Sequence, residues 1–415
     1  MMNGEKNLGQ LLAAYRNELN TQLGNILDYW INNTQDNNEG GFYGRIDNDN
    51  RLVPGSPKGS VLNARILWSF SAAYNFTSKK EYLEIADRAY RYIIDHIIDK
   101  TYGGVYWSVD HAGNKSDTKK QVYASAFAIY ALSEYYKATR NQEALDQAIG
   151  LFRLLVDKSF DWSKTGYFEA FTEDWQPIAD LRLSAKDANE KKTMNTHLHV
   201  LEGYTNLYRV WPDSTLRSHI ILLLHNFLDH FIDAENGHLN LFFDENWNKK
   251  STLISYGHDI EAAWLLVESA EAINDAVSIE NLRACAIKIS DATVDGLDSD
   301  GGLWYEYEPA DGHLVKEKHW WVQAEAMVGF FHTWQITGDS KYLELSIKSW
   351  GFVKDKILDR VNGEWFWGVY EDGSPMTAED KAGIWKCPYH NSRACMEIIN
   401  RITSQIPAVS AERNR

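Results

Sequence analysis

A sixfold repeat constrains this chain more than any other feature of its sequence. A tight turn followed by an aromatic, β-prone run recurs along the 415 residues, for example GGFYG at 40–44, GGVYW at 103–107 and GGLWY at 301–305. The second residue of each copy falls at positions 41, 104, 166, 237, 302 and 363, so the steps are 63, 62, 71, 65 and 61 residues. The chain is therefore predicted to consist of six units of one kind.

Each unit is predicted to contain a small β-hairpin and a pair of helices. The aromatic runs are short, and several end in a second turn, such as residues 110–114, which is typical of hairpins. Longer segments with helical periodicity lie between the runs. The predicted helices cover residues 8–31, 60–76, 81–98, 120–138, 142–158, 192–209, 215–232, 256–274, 279–294, 319–336, 340–358 and 388–402.

The two helices of a pair differ in composition. Residues 121–136 and 320–334 are apolar on most sides, whereas residues 82–98 and 342–357 carry a charged face. A helix that is apolar all round is buried, and an amphipathic helix covers a core. The sequence therefore predicts an all-α fold, an (α/α)6 barrel of six inner and six outer helices with short β-hairpins at the active-site end. An open α-solenoid is the alternative, but six near-equal units favour ring closure.

Composition limits the domain organisation and the classes of partner. The 8 prolines and the lack of a linker-like tract predict a single catalytic domain over residues 1–415, with its core at about 8–402 and a tail at 403–415. The net charge of −16 argues against nucleic acid and against an anionic membrane surface as partners. Three cysteines without a CxxC pair, and a polar start without a signal peptide, predict a cytoplasmic protein. We expect a monomer or a weak homodimer.

Polar residues cluster at the predicted starts of the inner helices. In a closed barrel, every hairpin and the following inner-helix N-terminus lie at the same end, so these side chains should converge on one pocket. Histidine is the side chain best matched to proton transfer at neutral pH, and three of the six units contribute one. The set predicts proton abstraction and return, and it comprises Arg65, Tyr123, Asn195, His197, His199, His258, Asp259, Glu261, Trp320, Trp321, Gln323, Glu325, Tyr389, His390 and Arg393.

Spacing separates some of these candidates. His197 and His199 lie two residues apart on one helix, so only one of them can face the pocket, and we favour His199. His258 and Glu261 have i,i+3 spacing, which predicts that the Glu261 carboxylate orients His258. A metal site is the competing interpretation of a histidine cluster, but His197 and His199 have poor chelating spacing, and no bound metal is expected. Arg65 is a candidate for stabilising an oxyanion.

Four segments of the chain resemble the N-acylglucosamine 2-epimerase superfamily. They are residues 194–202 (MNTHLHVLE), 257–264 (GHDIEAAW), 318–325 (KHWWVQAE) and 385–393 (WKCPYHNSR). The last segment resembles, more narrowly, the cellobiose 2-epimerase branch of this superfamily. The similarity runs in order from about residue 8 to residue 402. No phosphate-binding glycine loop or nucleophile elbow is present, so no nucleotide cofactor is expected.

The resemblance implies reversible C2 epimerisation of the reducing-end glucose of a β-1,4-linked disaccharide, without a cofactor. The substrate would be cellobiose, lactose or mannobiose, and the steps would be ring opening, deprotonation to a cis-enediolate and reprotonation. By resemblance, His258 and His390 are the acid/base pair, His199 assists ring opening, and Arg65 holds the enediolate oxygens. The other implied roles are substrate binding by Tyr123, Asp187, Asn195, Trp321 and Trp385, and support by Glu261 and Glu325.

Other functions remain open on the sequence alone. An N-acylglucosamine or mannobiose 2-epimerase would use the same scaffold. Barrels of this type also carry glycoside hydrolases, which need two carboxylates at a defined separation and would leave the three histidines idle. A carbohydrate-binding protein without turnover would need the aromatic rings but neither His258 nor His390. The preferred disaccharide cannot be read from the sequence.

Overall fold

The computed structural model describes residues 2–411 of the chain, and the side chains of residues 7–405. Twelve α-helices lie within this part. They are α1 (Met2–Asn33), α2 (Ser60–Thr77), α3 (Lys80–Tyr92), α4 (Val122–Thr139), α5 (Gln142–Lys158), α6 (Met194–Val210), α7 (Ser214–Asn226), α8 (Tyr256–Ala272), α9 (Ala276–Thr293), α10 (Trp320–Thr337), α11 (Ser340–Phe352) and α12 (Tyr389–Ala411). Three outer helices, α3, α7 and α11, each end in one π-helical turn (Ile93–Ile97, Phe227–Phe231 and Val353–Ile357).

The even-numbered helices form a closed inner ring. Each packs against the next, from α2 through α4, α6, α8 and α10 to α12, and α12 packs back against α2. Each odd-numbered helix covers one inner helix from outside: α3 packs on α2, α5 on α4, α7 on α6, α9 on α8 and α11 on α10. The N-terminal helix α1 packs on α12 and so completes the outer layer of the last unit. The predicted (α/α)6 barrel is confirmed, and the contact between α12 and α2 excludes the open solenoid.

Small residues allow the inner helices to approach one another closely. A Cβ atom added at Gly203 of α6 would lie 2.6 Å from the Ala126 carbonyl oxygen of α4. A Cβ at Gly329 of α10 would lie equally close to the Ile260 carbonyl oxygen of α8. The inner helices are therefore buried nearly all round, and this accounts for their apolar composition.

Short antiparallel strands join neighbouring units at the N-terminal end of the inner ring. They are β1 (Lys58–Gly59), β2 (Ser108–Val109), β3 (Lys115–Asp117), β4 (Lys120–Gln121), β5 (Ala170–Phe171), β6 (Lys192–Thr193), β7 (Phe242–Phe243), β8 (Ile254–Ser255), β9 (Glu306–Glu308), β10 (His313–Val315), β11 (Lys318–His319) and β12 (Gly368–Val369). The sheets have the orders β1-β2-β3, β4-β5, β6-β7, β8-β9-β10 and β11-β12.

Most of this pairing runs between units, which the sequence analysis did not anticipate. The stretch before each inner helix pairs with the aromatic run of the next unit, as in Lys58 with Val109 and Lys120 with Phe171. Local hairpins form only at β2-β3 and β9-β10 among the named strands. The ladders therefore fasten adjacent units to each other and hold the inner-helix N-termini around one opening.

A buried lysine paired with an aspartate anchors five of the six turns. In the second unit, Asp99 accepts hydrogen bonds from the backbone N–H groups of Thr101 and Tyr102, and the Lys120 ammonium lies 2.5 Å from its other oxygen. Both side chains of this pair are fully buried. The equivalent pairs are Asp36–Lys58, Asp161–Lys192, Asp298–Lys318 and Asp359–Lys381. The fourth unit differs, because Ile254 replaces the lysine and Asp233 is only 3.9 Å from the half-exposed Lys249.

The ends of the chain differ from the predicted boundaries. Helix α1 begins at Met2 and not at residue 8, and α12 continues to Ala411, beyond the predicted end of the core at residue 402. The last part of the predicted tail, residues 412–415, lies outside the described residues. The single-domain organisation stays a prediction, supported by the continuous ring of helix contacts. None of the described helices combines the length and the apolar character needed to cross a membrane.

Candidate active site

A cavity of about 990 Å³ opens at the N-terminal ends of the inner helices. This upper cavity brings together ten of the eleven side chains to which the family resemblance gave a role. They are Arg65, Tyr123, Asp187, Asn195, His199, His258, Glu261, Trp321, Trp385 and His390. Glu325 does not line the cavity and lies behind His390, to which it is hydrogen-bonded.

His258 and His390 adjoin the same indole ring. The ring centroid of His258 lies 4.9 Å from that of Trp321, and the centroid of His390 lies 5.6 Å from it. The two histidines come from α8 and α12, which are separated by α10 in the inner ring, so they reach Trp321 from either side along the ring. Two proton-transfer groups on different walls of one cavity can serve two faces of a bound molecule.

Desolvation in the cavity wall keeps the partly exposed imidazole of His258 neutral. Desolvation, helped by the nearby charges of His199 and Lys186, lowers the pKa of His258 to about 3. Its Nδ1 lies 2.8 Å from the Ser255 hydroxyl. A neutral imidazole with one nitrogen held in this way can accept a proton at the other.

His390 shares its environment with a buried carboxyl group. Its Nδ1 lies 2.6 Å from an oxygen of Glu325. Burial lowers the pKa of His390, and the charges of Arg65 and Arg393 lower it further. Burial raises the pKa of Glu325. The short hydrogen bond between them lets a proton pass from one partner to the other, which suits a group that must both give and take a proton.

The predicted partnership between Glu261 and His258 is wrong. Glu261 instead accepts a hydrogen bond from the guanidinium of Arg393 at 2.6 Å, and it lies 3.9 Å from Nδ1 of His390. The permanent cation of Arg393 attracts this buried carboxylate more strongly than a neutral imidazole can. Ser255, three residues before His258, takes the position at Nδ1 that the spacing assigned to Glu261.

The choice between the two histidines of α6 is confirmed. His199 lines the upper cavity, and its Nδ1 lies 2.9 Å from Glu202. His197 points away from it: its Nε2 accepts the backbone N–H of Tyr167, and its Nδ1 lies 2.6 Å from the Thr193 carbonyl oxygen. His197 is thus a satisfied core residue.

Arg393, predicted to face the pocket but given no role, and Glu202, which was not among the candidates, form a buried ionic floor under the upper cavity. Arg393 pairs with Glu202, lies 2.6 Å from Glu261 and lies 2.7 Å from Glu325. Burial raises the pKa of Glu202, but the charge of Arg393 and the hydrogen bond from His199 outweigh it and bring that pKa down to about 2. The contact between Arg393 and Glu202 joins residues 191 positions apart, which no local spacing reveals.

Three side chains next to this floor are close enough together to suit a metal ion. Glu261, Glu325 and His390 each offer an atom, and these atoms all lie within 4.8 Å of one another. The guanidinium of Arg393 already donates to both carboxylates. A cation is therefore in place at the oxygens that a metal would use, and the donor set does not fit an additional ion.

Arg65 is held by aromatic contacts, a hydrogen bond to Tyr123 and a longer one to the Cys387 sulfur. Its guanidinium donates to the Tyr123 hydroxyl at 2.8 Å and lies over the rings of Phe127 and Tyr389, at 4.3 and 4.9 Å. No carboxylate pairs with it among the salt bridges of the described residues, and its Nε has no partner there. It is thus a buried cation able to receive a developing negative charge.

The remaining predicted residues lie around the opening. The ring of Trp385 contacts Trp107 and Tyr123, with centroids 5.8 and 6.0 Å apart. Asp187 lies in the loop of residues 178–191 and accepts hydrogen bonds from the backbone N–H and hydroxyl of Ser184. The buried Oδ1 of Asn195 has no partner among the described residues. These groups offer a flat ring and free hydrogen-bonding atoms to a ligand.

The chain is similar to known proteins over most of its length. The family model for N-acylglucosamine 2-epimerase (GlcNAc 2-epimerase) matches residues 41–394. A cellobiose 2-epimerase from Bacteroides fragilis is 50% identical over 389 residues, which cover 94% of this chain and 98% of that protein.

Solved structures of similar proteins share the fold along the whole chain. The cellobiose 2-epimerase from Bacillus thermoamylovorans B4167 superposes with a TM-score of 0.89 at 41% identity, covering 94% of this chain and 100% of that chain. The cellobiose 2-epimerase from Spirochaeta thermophila DSM 6192 superposes with a TM-score of 0.90 at 40% identity, covering 96% and 98%. The match therefore includes both the barrel and the opening at the N-terminal ends of its inner helices.

Proposed function

The chain belongs to the N-acylglucosamine 2-epimerase family, and we propose that it acts as a cellobiose 2-epimerase, which interconverts glucose and mannose at the reducing end of a β-1,4-linked disaccharide. The observation that carries this proposal is the placement of His258 and His390 beside one indole in the upper cavity. Inversion of a carbon centre by proton transfer needs an acid and a base on opposite faces of that carbon. Two histidines on separate inner helices could supply this acid and this base.

The first step of the proposed reaction opens the sugar ring. Only the open aldehyde makes the C2 hydrogen acidic, so the proton of the anomeric hydroxyl must leave and the ring oxygen must gain one. His199 is the candidate for this exchange, because it lines the cavity and its Nδ1 is held by Glu202. That hydrogen bond leaves Nε2 available to the sugar.

The second step moves a proton off C2 and returns one to the other face. For one direction of the reaction, neutral His258 removes the C2 proton, and the C2–H electron pair forms the enediolate with negative charge on O1. His390 then donates the proton at Nε2 to C2, and its Nδ1 takes the proton held by Glu325. In the reverse direction the two histidines exchange roles. Proton transfer of this kind supplies a factor of about 10²–10⁴ in rate.

Arg65 is proposed to stabilise the enediolate oxygens. Its charge is buried and is balanced by no carboxylate in direct contact among the described residues. A cation fixed beside a developing oxyanion stabilises the transition state without reorganisation of solvent. Trp321 and Trp385 would cover the apolar faces of the sugars, while Tyr123, Asp187 and Asn195 would bind hydroxyl groups.

The proposal includes no metal or redox cofactor. C2 inversion moves protons only and leaves the oxidation state of the sugar unchanged, and the cation that the carboxylates need is Arg393. We also propose a cytoplasmic location, since Cys285, Cys387 and Cys395 are all free thiols. A monomer or weak homodimer acting on cellobiose, lactose or mannobiose, without nucleic-acid or membrane partners, completes the proposal.

The test is product identification in heavy water. Incubation with cellobiose in D₂O should give glucosyl-mannose and deuterium at C2 of both epimers, measured by NMR. His258→Phe and His390→Phe should each abolish epimerisation and leave sugar binding largely intact. Activity retained in either variant would remove that histidine from the acid/base role, and a lack of deuterium uptake with every reducing disaccharide would exclude epimerisation.

A glycoside hydrolase on the same barrel is disfavoured by the carboxylates themselves. Glu261 and Glu325 offer oxygens within 4.8 Å of each other, and both are bound to Arg393. Hydrolases need carboxyl groups about 6.5–9.5 Å apart for inversion, or about 5–5.5 Å apart for retention, with oxygens free to reach the glycosidic bond. Release of free glucose without epimer would favour hydrolysis, and turnover of N-acylglucosamine in preference to cellobiose would favour the other epimerase.

A further inference from the structure

A second cavity of about 340 Å³ lies inside the inner ring at the end away from the active site. This lower cavity is lined by the C-terminal halves of α2, α4, α6 and α8 and by the N-terminal half of α12. Its floor toward the upper cavity is the pair Glu202 and Arg393, and it opens near Lys137 and Asn400, which are half-exposed and exposed. Its volume is in the range of small-molecule sites.

The charged side chains around the lower cavity contact one another. Each of four carboxylates contacts a cation, although Arg393 is shared with Glu261 and Glu325, so a simple anion would find no unpaired cation among these residues. The pairs are Glu134 with Lys137 at 3.3 Å, Glu202 with Arg393, Glu268 with Arg209 at 2.6 Å, and Glu397 with Arg401 at 3.3 Å. An occupant that forms many hydrogen bonds but carries no charge is favoured.

Two buried donors in its wall have no partner. The indole N–H of Trp68 and the Nε–H of Arg393 make no hydrogen bond to any described residue, although Trp68 is only 7% exposed and Arg393 only 1%. Both side chains line the lower cavity. A buried donor without an acceptor is costly, so a ligand oxygen that reached either N–H group from the cavity would be bound by it.

Aromatic rings complete the wall. Trp68 stacks on Tyr130 with centroids 5.0 Å apart and ring planes 14° apart, and Phe76 and Trp264 also line the cavity. Flat rings beside paired carboxylates, amides and unsatisfied donors are the groups that bind polyhydroxylated molecules, whose C–H faces are apolar and whose rims are polar. We propose that the lower cavity is a second binding site, separate from the active site, for a neutral polyhydroxylated ligand of the size of one hexose.

Occupancy of this site would act on the catalytic histidines through its floor. Glu202 contacts His199, and Arg393 contacts Glu325 behind His390. A ligand in the lower cavity should therefore change kcat for the disaccharide and leave KM unchanged. This consequence rests on the proposed epimerase function, whereas the binding itself does not.

Methyl β-D-glucopyranoside and methyl α-D-mannopyranoside are the probes for the test, because neither can open its ring and become a substrate. Saturation-transfer NMR should detect binding of one of them in the presence of saturating cellobiose that has equilibrated with its epimer. Trp68→Phe keeps an aromatic ring but removes the donor, and should weaken binding about 3- to 10-fold. Trp30→Phe is the matched control, because Trp30 also has a buried unpartnered N–H but lies outside both cavities.

A second variant guards against loss of fold. Ala72→Leu places three further carbon atoms at the wall of the lower cavity, and should abolish binding while thermal unfolding shows a folded protein. Binding that disappears when the disaccharide saturates the active site would overturn the proposal. So would equal binding by wild type and both cavity variants, or no binding of either glycoside. Because the probes are not substrates, each outcome tests the second binding site whether or not the chain epimerises cellobiose.

Discussion

At the scale of single residues, the proposed chemistry depends on which nitrogen of each imidazole is left available to the substrate. Glu202 fixes Nδ1 of His199 and is itself held by Tyr389 and Arg393. A charged acceptor at one imidazole nitrogen sets the tautomer and raises the basicity of the other nitrogen. Glu202 is therefore a positioning residue, which acts on the sugar through His199.

We expect Glu202→Gln to lower kcat about 10- to 100-fold and to change KM little, because the amide keeps the shape of the carboxylate but not its charge. Steady-state kinetics with cellobiose measure both constants. Glu364→Gln is the control, since Glu364 is equally buried but bonds to Lys386 and Asn391 outside the upper cavity. A purely structural role for Glu202 would instead lower the melting temperature and leave kcat of the folded fraction unchanged.

The pH dependence of the reaction follows from the two acid/base groups. A base must be neutral to take a proton, and burial lowers the pKa of His258 to about 3, so activity should persist well below pH 6.5. The acid is the His390–Glu325 pair, which must carry a proton to donate one. Burial raises the pKa of Glu325, so activity should fall only when rising pH removes this proton.

We therefore expect a bell-shaped profile of kcat/KM whose acid limb lies at least about two pH units below the ordinary histidine pKa. Glu325→Gln should lower kcat and displace the alkaline limb, while the acid limb stays in place. An acid limb near pH 6.5 in the wild type would contradict the assignment of His258 as the base.

Sequence reasoning found the residues of the site better than their contacts. Histidines at the starts of inner helices could be identified because their positions follow from the repeat. The contacts around Arg393 could not, because they connect α12 with α6, α8 and α10 across the ring. Spacing alone also misled in α8, where Glu261 had two possible partners and the distant arginine carries the stronger charge.

At the scale of elements, the lysine–aspartate pairs at the turns are the contacts that recur from unit to unit. The glycines and aromatic residues of each turn were visible in the sequence, but the lysine partner lies 20–31 positions away from its aspartate and precedes a different helix. The pairing of Lys120 with Asp99 ties the turn of one unit to the strand that enters the next inner helix. The anchors therefore help to fix where each inner-helix N-terminus meets the upper cavity.

We expect Lys120→Met to lower the free energy of unfolding by about 3–5 kcal/mol, because it leaves the buried Asp99 carboxylate without its cation. Urea unfolding followed by circular dichroism measures the change. Lys249→Met in the fourth unit is the matched control, and it should cost less than about 0.5 kcal/mol, since Lys249 is half-exposed and 3.9 Å from Asp233. Adding Asp99→Asn to Lys120→Met should recover part of the loss, and equal effects of the two lysine variants would show that the anchor does not stabilise the turn.

At the scale of the whole molecule, ring closure brings the two ends of the chain together. The sequence predicted closure from the near-constant step, and α1 packing on α12 supplies the sixth outer helix. What the sequence could not give is the order of contacts at the seam, where Tyr15 of α1 hydrogen-bonds to Ser346 of α11, 331 residues away. Packing between neighbouring units also buries histidines such as His197, which lies against Tyr167, Phe231 and Trp247.

This burial makes the stability of the barrel depend on pH. His197 accepts a backbone N–H at Nε2, so it must stay neutral in the folded state, and burial lowers its pKa to about 3. Its pKa in the unfolded chain is about 6.5, so below pH 6.5 the unfolded state binds a proton that the folded state does not. The folded state loses about 1.4 kcal/mol for each pH unit below 6.5 on this account, or about 3 kcal/mol by pH 4.

We expect His197→Gln, which stays neutral at every pH, to lower stability at pH 7 but to reduce the further loss between pH 7 and pH 4 by about 3 kcal/mol relative to wild type. Urea unfolding at the two pH values gives this difference, and the other titrating groups cancel because both proteins carry them. His111→Gln is the control, since it removes a histidine that is exposed on the surface. Parallel pH profiles for wild type and His197→Gln would mean that His197 takes up its proton without unfolding the barrel.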